Sequence, residues 1–343
     1  MGPLIGEGGM ARVMRGSLNG SPVAVKLLSS QFAARPSVRR RFLLSASVMS
    51  RLDHPSIVQV HQVIVQPGHL GVVLDLVLGP SLETVLRQER PGPVEVHVAE
   101  RLMAPMISAV AHIHSKKLVH RDLKPENVLM SRGNGEPWPG RPRIIDFDLV
   151  QAPEGSTLVP TKAGMRMGTI PYMAPEQFGG AATVMPATDV YALCMMLWQV
   201  FAGRLPIRTF DPRSAEVTGI YDGSRPVPPL LSVAPHVPRA LARVIDAGLS
   251  LDPDGRPLDA GVLLGLLGWV EAAQSTLAPT SQKTFVATVL PGVFEARRAL
   301  PAPNDGSSDS QALRIRQTAR TCTVLGGLLL AIGALLVFIG LGI

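Results

Sequence analysis

The sequence predicts an α+β chain of two lobes, a small β-rich N-terminal lobe and a larger helical C-terminal lobe, followed by one C-terminal transmembrane helix. Three observations carry this reading. Short β-type runs rich in Val, Ile and Leu fill residues 1–79 and enclose a single helical stretch. Longer helical patterns take over after Gly79-Pro80. The last 21 residues, 323–343, hold no charged side chain.

In chain order, strand patterns lie at Arg12–Met14, Val23–Lys26, Ile57–Val65 and Leu70–Val77, with a helix around 36–52. Only Pro3-Leu4-Ile5 precede the first glycine-rich stretch, which leaves room for a short first strand, either clipped there or begun upstream. Helical stretches follow at 81–89, 94–116 and 187–202, and Pro and Gly crowd 133–142 as in a lengthened hairpin tip. Residues 272–312 lose periodicity and gain Ser, Pro, Ala and Asp. The expected domains are therefore a folded unit over 1–270 (lobes about 1–79 and 80–270), a disordered juxtamembrane linker over 271–320 and a membrane helix over 321–343.

At 343 residues the chain has room for one two-lobed unit of about 260 residues with extra segments. Its formal charge is +7, yet no Lys/Arg run is interleaved with aromatics, which make up only 4% of the chain, so nucleic acid is not an expected partner. The basic excess gathers partly at Arg297, Arg298, Arg314, Arg316 and Arg320, a distribution suited to an anionic membrane surface. Cys194 and Cys322 are the only cysteines and suggest no disulfide framework, so a reducing compartment is expected. No signal peptide is visible at the N-terminus.

At about 1.5 Å per residue the uncharged C-terminal segment spans about 30 Å, the thickness of a hydrocarbon core. Arginines lie on its upstream side alone, which places residues 1–320 in the cytoplasm by the positive-inside rule. The lipid bilayer is thus an expected partner through residues 321–343, the localisation is a single-pass cell membrane protein, and no extracellular sensor domain is expected.

The chemistry concentrates in His120-Arg121-Asp122-Leu123-Lys124-Pro125-Glu126-Asn127. Asp122 and Asn127 stand five residues apart with Lys124 between them. Phosphoryl transfer uses such a set: a carboxylate to orient a hydroxyl, a cation near the phosphate and an amide on a metal ion. Gly6-Glu7-Gly8-Gly9 opens the chain as a hairpin whose backbone can approach phosphates, because glycine lacks a Cβ. Lys26 follows on a strand pattern and brings an ammonium toward the same place, while Asp146 follows the apolar Ile144-Ile145.

The octapeptide resembles the catalytic loop of Ser/Thr protein kinases, and the glycine loop is similar to that of the bacterial membrane-anchored members. Asp146-Phe147-Asp148 resembles the D-F-G stretch with Asp148 replacing the glycine. Gly168-Thr169-Ile170-Pro171-Tyr172-Met173-Ala174-Pro175-Glu176 resembles the peptide-docking loop and its A-P-E anchor. Asp189-Val190-Tyr191 and Asp252 to Pro257 match two further landmarks, so the likeness covers about 4–270.

The resemblance implies a two-lobed protein kinase fold, with ATP and Mg²⁺ as cofactors and protein Ser/Thr hydroxyls as substrates. It implies Asp122 and Lys124 as catalytic residues, Asn127 and Asp146 on the metal, and Ile5, Gly6, Gly8, Gly9, Val13, Ala24, Lys26, Asp75 and Val77 around the nucleotide. The adenine is expected against the linker Asp75-Leu76-Val77, with Leu74 at the back of the pocket, and Glu176–Arg256 is expected as a buried ion pair. Arg121 before Asp122 implies an activation segment ordered by phosphorylation, with Ser156, Thr157 and Thr161 as candidates.

One part of the pattern is absent. Active kinases orient the strand lysine with a helix glutamate. Here the matching place holds Ser45, and no Asp or Glu occurs between Glu7 and Asp53. Lys26 therefore has Asp146 or no acidic partner at all. Ser45, Asp148 and Ala11, which replaces a customary third glycine, favour the alternative of a pseudokinase scaffold; intact Lys26, Asp122, Asn127 and Asp146 favour the enzyme.

Overall fold

The structure, a computed structural model, describes residues 2–66, 69–89, 91–132, 140–146, 170–178, 185–207, 211 and 213–275. Its N-terminal part is an antiparallel sheet of β1 (Leu4–Glu7), β2 (Ala11–Leu18), β3 (Ser21–Leu28), β4 (Val60–Gln66) and β5 (His69–Asp75), in the order β1-β2-β3-β5-β4. Asn19 (φ 52°) and Gly20 (φ 82°) form the two-residue turn between β2 and β3, where both φ values are positive and Asn-Gly is favoured. Period-two alternation then divides β3 and β5. Val23, Val25 and Val73 pack together on one face, while Ala24, Val72 and Leu74 join the main core on the other.

Between β3 and β4 run α1 (Ser30–Ala33) and α2 (Pro36–Met49), the latter starting on a proline whose missing N–H has no partner to lose at a first helical position. The predicted helix over 36–52 closes earlier. Its last turn tightens into bonds from Arg51 N–H to Val48 O and Leu52 N–H to Met49 O, and the Leu52 side chain is buried.

The strand predicted over Ile57–Val65 begins only at Val60, because Ser56 to Val58 pair elsewhere. Ile57 makes a parallel bridge to Ile144, with Val58 N–H donating to Ile144 O (3.0 Å) and Ile144 N–H to Ser56 O (2.8 Å). The strand predicted to reach Val77 ends at Asp75. Beyond it Leu78 O and Pro80 O accept from Arg132 and Met130 N–H, so the linker docks onto the second lobe. Gly79 is required there: at φ 157°, a Cβ would sit 1.7 Å from Met130 O.

In the second lobe, α3 (Leu82–Thr84) is capped by the Ser81 hydroxyl, which accepts from Thr84 N–H, and widens into a π-helical turn over Val85–Glu89. Next come α4 (Val96–Ser115), the hairpin β6 (Val128–Ser131) and β7 (Arg141–Ile144), α5 (Pro175–Phe178) and α6 (Pro186–Ala202). Nearly every side chain of α6 is buried, the pattern of a helix at the centre of a core, and Gly203 ends it at φ 68°. Around it lie α7 (Ala215–Asp222), α8 (Leu230–Val233), α9 (Arg239–Gly248), α10 (Ala260–Leu267) and α11 (Val270–Ser275). The helical lobe thus continues through Ser275, into the stretch expected to begin the linker, because Ala273 is buried against that core. Among the described residues no helix is long and apolar enough to cross a membrane. The expected membrane helix at 321–343 and most of the expected linker lie outside them.

Candidate active site

The first strands present the glycine-rich stretch as a hairpin. Gly8 N–H donates to Ala11 O (2.8 Å), Gly6 pairs with Val13, and Gly8 and Gly9 form an exposed tip, with Ile5 half exposed on β1. Register then orders the floor beneath it. Val13 on β2 lies opposite Lys26 on β3, and on the other side Lys26 faces Val72 and Ala24 faces Leu74 on β5. Asp75 closes β5, and Leu76 and Val77 continue as partly buried linker residues against the main core. All nine residues expected around a nucleotide thus lie along β1–β3 and the β5 linker.

Across the cleft the octapeptide His120–Asn127 is held from below by Asp189 on α6. Asp189 Oδ2 accepts from His120 N–H (2.7 Å) and its Oδ1 from Arg121 N–H (2.8 Å). His114 reaches the same carboxylate through Nε2 at 2.9 Å. Ala260 N–H donates to His114 Nδ1, which leaves the ring proton on Nε2 to face Asp189. Burial pushes the His120 imidazole below its usual value, against the opposing pull of Asp189 and Asp122.

Asp122 is the focus of this loop. Lys124 Nζ donates to both its oxygens (3.1 and 2.9 Å), and Asn127 Nδ2 donates to its main-chain O (2.9 Å) and to Oδ2 (3.1 Å). Lys124 is buried while Asp122 keeps part of its carboxylate open to the cleft. Both amide hydrogens of Asn127 are engaged by Asp122, so its carboxamide oxygen is the atom it has left to offer a cation. Ile145 N–H donates to Asn127 O (3.0 Å), which sets Asp146 beside it. From the other lobe Lys26 Nζ reaches Asp146 Oδ1 at 2.9 Å, the alternative partner that the missing helix carboxylate leaves. Ser45, on α2, is buried.

Two hard oxygen donors, Asn127 Oδ1 and the Asp146 carboxylate, suit a small divalent cation that takes its other ligands from phosphate and water. Among the described residues there is no cluster of three or more His, Cys, Asp or Glu that could hold a metal ion.

The docking segment is tied to this loop. Gln177 Nε2 donates to Arg121 O (2.8 Å) while its Oε1 accepts from Ala174 N–H (3.0 Å). Glu176 and Arg256 form the expected ion pair with two bonds of 2.9 Å, and the Arg256 side chain is fully buried. Arg256 also donates to Ala187, Ser250 and Leu251 carbonyls and lies over the Tyr191 ring at 5.0 Å. Burial alone would raise the Glu176 carboxyl; hydrogen bonds from Arg256, its own backbone and Thr188 hold it below its usual value.

Two groups escaped the motif reading. His114 carries no motif, and its part at Asp189 needs the tertiary fold to see. Arg143, on β7, forms an ion pair with Asp75, whose other oxygen faces His61 Nε2 at 2.8 Å. Its one signal in the sequence is a cation three places before Asp146. The expectations for Phe147, Asp148, Ser156, Thr157, Thr161, Gly168, Thr169 and Cys322 lie outside the described residues.

Comparison with known proteins agrees with this geometry. The family described as the protein kinase domain matches residues 1–259. The serine/threonine-protein kinase PkaA of Streptomyces coelicolor is 35% identical over 248 residues, covering 72% of this chain and 43% of that protein. The DNA damage-responsive serine/threonine-protein kinase RqkA of Deinococcus radiodurans is 35% identical over 268 residues, covering 77% and 38%. The chain therefore spans about two fifths of the length of these curated relatives. In structure, it is similar to the PknI kinase domain of Mycobacterium tuberculosis with a TM-score of 0.56 and 25% identity, over 80% of this chain and 94% of that one. With its motifs in order, its catalytic loop assembled and three quarters of its length matched, the chain belongs to the protein kinase domain family.

Proposed function

We propose that the chain is an ATP-dependent Ser/Thr protein kinase that transfers the γ-phosphate to protein hydroxyls. The observation that carries this is Asp122, a partly open carboxylate fixed by Lys124 and Asn127, beside an Asp146 already paired with Lys26. In this reading Asp122 orients the Ser/Thr hydroxyl and accepts its proton. Lys124 offsets charge on the transferring group, and Lys26 faces the α- and β-phosphates. Asn127 and Asp146 would hold Mg²⁺, which when bound neutralises phosphate charge. Gly6, Gly8 and Gly9, which carry no Cβ, would let the hairpin backbone lie close over the phosphates, and Ile5, Val13 and Ala24 would form apolar walls. Asp75 and Val77 offer linker backbone to the adenine.

We further propose a cytoplasmic kinase domain tethered to the cell membrane through residues 321–343. The uncharged segment and the arginines upstream of it support this reading.

The test is transfer of labelled γ-phosphate by the full chain in detergent to itself and to a basic protein, beside Asp122→Asn. Transfer by the wild type that the variant lacks is expected. Equal signals from both would remove Asp122 from the reaction, and no signal from either would remove the kinase reading.

A further inference from the structure

Two ion pairs of opposite polarity link the sheet to the segment 143–146. Asp75 at the end of β5 pairs with Arg143 on β7, and Lys26 on β3 pairs with Asp146. They are matched in spacing. Arg143 precedes Asp146 by three residues, and Lys26 follows by three the Val23 that lies opposite Asp75 in the β3–β5 ladder. The two pairs therefore act like two rungs between the adjacent central strands β3 and β5 and one short stretch of the second lobe.

The Asp75 rung is well anchored. Gln59 N–H donates to Asp75 Oδ2 (3.2 Å), His61 Nε2 lies 2.8 Å from Oδ1, and Asp75 N–H donates back to Gln59 O (3.1 Å). Next to it, Ile144 is stitched to Ser56 and Val58 by two main-chain bonds. A guanidinium pairing with this fixed carboxylate ties β7, which pairs along its length with β6, to the end of β5, and β7 leads directly into Asp146. The helix carboxylate that would otherwise orient Lys26 is absent from this chain, where α2 offers the buried Ser45.

We infer that Arg143, through its ion pair with Asp75, is a positioning residue for phosphoryl transfer that stands in for the missing helix carboxylate. By fixing β7 it fixes Asp146, and Asp146 in turn orients Lys26. This rests on the kinase reading above. Both partners are about a quarter exposed, so water screens the pair and its value lies in geometry more than in Coulomb energy. Misplacement of a catalytic group by a fraction of an ångström to an ångström is enough to slow a reaction tenfold or more.

The experiment compares steady-state transfer by full-length wild type, Arg143→Met, Arg143→Lys, Asp75→Asn and the double variant, each also made with Ser45→Glu. Arg143→Met should lower kcat/KM for ATP about tenfold with KM for the protein substrate unchanged, and Arg143→Lys should recover most of the loss. Asp75→Asn should add little to Arg143→Met, because both remove one interaction. With Glu at position 45, Arg143→Met should cost less than about threefold, since Lys26 regains a helix partner. Wild-type kinetics in Arg143→Met, additive losses for Asp75→Asn, or an unchanged tenfold loss beside Ser45→Glu would each overturn the inference. If Ser45→Glu fails to fold, the Asp75–Arg143 cycle alone decides. A wild type no more active than Asp122→Asn overturns the kinase reading and this inference with it, whereas an active wild type matched by Arg143→Met overturns the inference alone.

Discussion

Asp189 holds Arg121 in a left-handed conformation: Arg121 has φ 72° and its N–H donates to Asp189 Oδ1 at 2.8 Å. A non-glycine residue there costs on the order of 1–3 kcal/mol and persists only when its surroundings fix it. The payoff is directional, since the turn aims Asp122 at the cleft while its neighbour His120 points into the core.

Asp189→Asn should therefore destabilise and disorder the loop together. One amide group would face backbone N–H donors, leaving a buried donor unsatisfied at a cost of about 1–3 kcal/mol. Urea unfolding should show a lower midpoint with the slope unchanged. A variant as stable as the wild type would mean that Arg121 is held by other contacts.

Loss of the carboxylate proposed to react should act mainly on rate. Asp122→Asn and Asp146→Asn are each expected to lower transfer by at least about a hundredfold, the first by removing the proton acceptor and the second a metal ligand. Both should remain folded, with a lower thermal midpoint in Asp122→Asn than in wild type because the buried Lys124 loses its anionic partner. Autophosphorylation by purified Asp122→Asn at the wild-type rate would show that the site is elsewhere.

Most of this site was legible because its residues are clustered in sequence. Asp122, Lys124 and Asn127 fall on one loop, so their spacing alone brings them together. Lys26–Asp146 was legible only by elimination, from the lack of any acid between Glu7 and Asp53. Asp75–Arg143 was not legible, since it joins positions 68 residues apart through a tertiary register that no local pattern encodes. The same limit explains the strand ends: Ile57 reads as strand by composition, but its backbone pairs with Ile144, far along the chain. The helices after Gly203 are short, and of α7 to α10 only α7 and α10 carry side-chain caps, from Ser214 and Asp259, weak signals beside the apolar run of α6.

The Glu176–Arg256 pair gives a stability prediction with a sign that depends on how it is broken. Arg256→Met leaves the Glu176 carboxylate buried without its guanidinium, a loss of about 3–5 kcal/mol. Glu176→Gln together with Arg256→Met removes both charges and should cost less than the single arginine change. Chemical denaturation of the two variants decides; a double variant weaker than Arg256→Met would show that the Glu176 carboxylate is held by Thr188 and is not stranded without the arginine.

His54 makes the fold sensitive to mild acid. Ser56 N–H donates to its Nδ1 (3.1 Å), so the ring proton sits on Nε2 beside Ser108 Oγ (3.2 Å). Burial, with His112 and Arg143 adding repulsion, pushes its imidazole from 6.5 down to about 4. The folded form thus favours the uncharged ring. Its contribution is complete above pH 6.5 and is lost as the pH falls toward 4, on the order of 3 kcal/mol in all. Protonation at Nδ1 would also break the bond from Ser56, whose carbonyl holds Ile144. His54→Asn should flatten the decline in urea stability between pH 6.5 and 4, relative to wild type. Parallel curves for the two proteins would assign that decline to other groups.

Membrane attachment is the remaining prediction, and it follows from transfer energetics. Each Leu, Ile, Val or Phe of residues 323–343 favours insertion near the helix centre by a few tenths of a kcal/mol. Their sum outweighs the modest cost of Gly326, Gly327, Gly333, Gly340 and Gly342. The arginines at 314, 316 and 320 then stay with the anionic cytoplasmic face. Deleting residues 321–343 should move the protein from the membrane fraction to the soluble fraction with its transfer rate unchanged. In intact cells, protease added outside should leave the domain over 1–275 uncut. Full-length protein that stays soluble without detergent would remove the anchor, and digestion from outside would reverse its orientation.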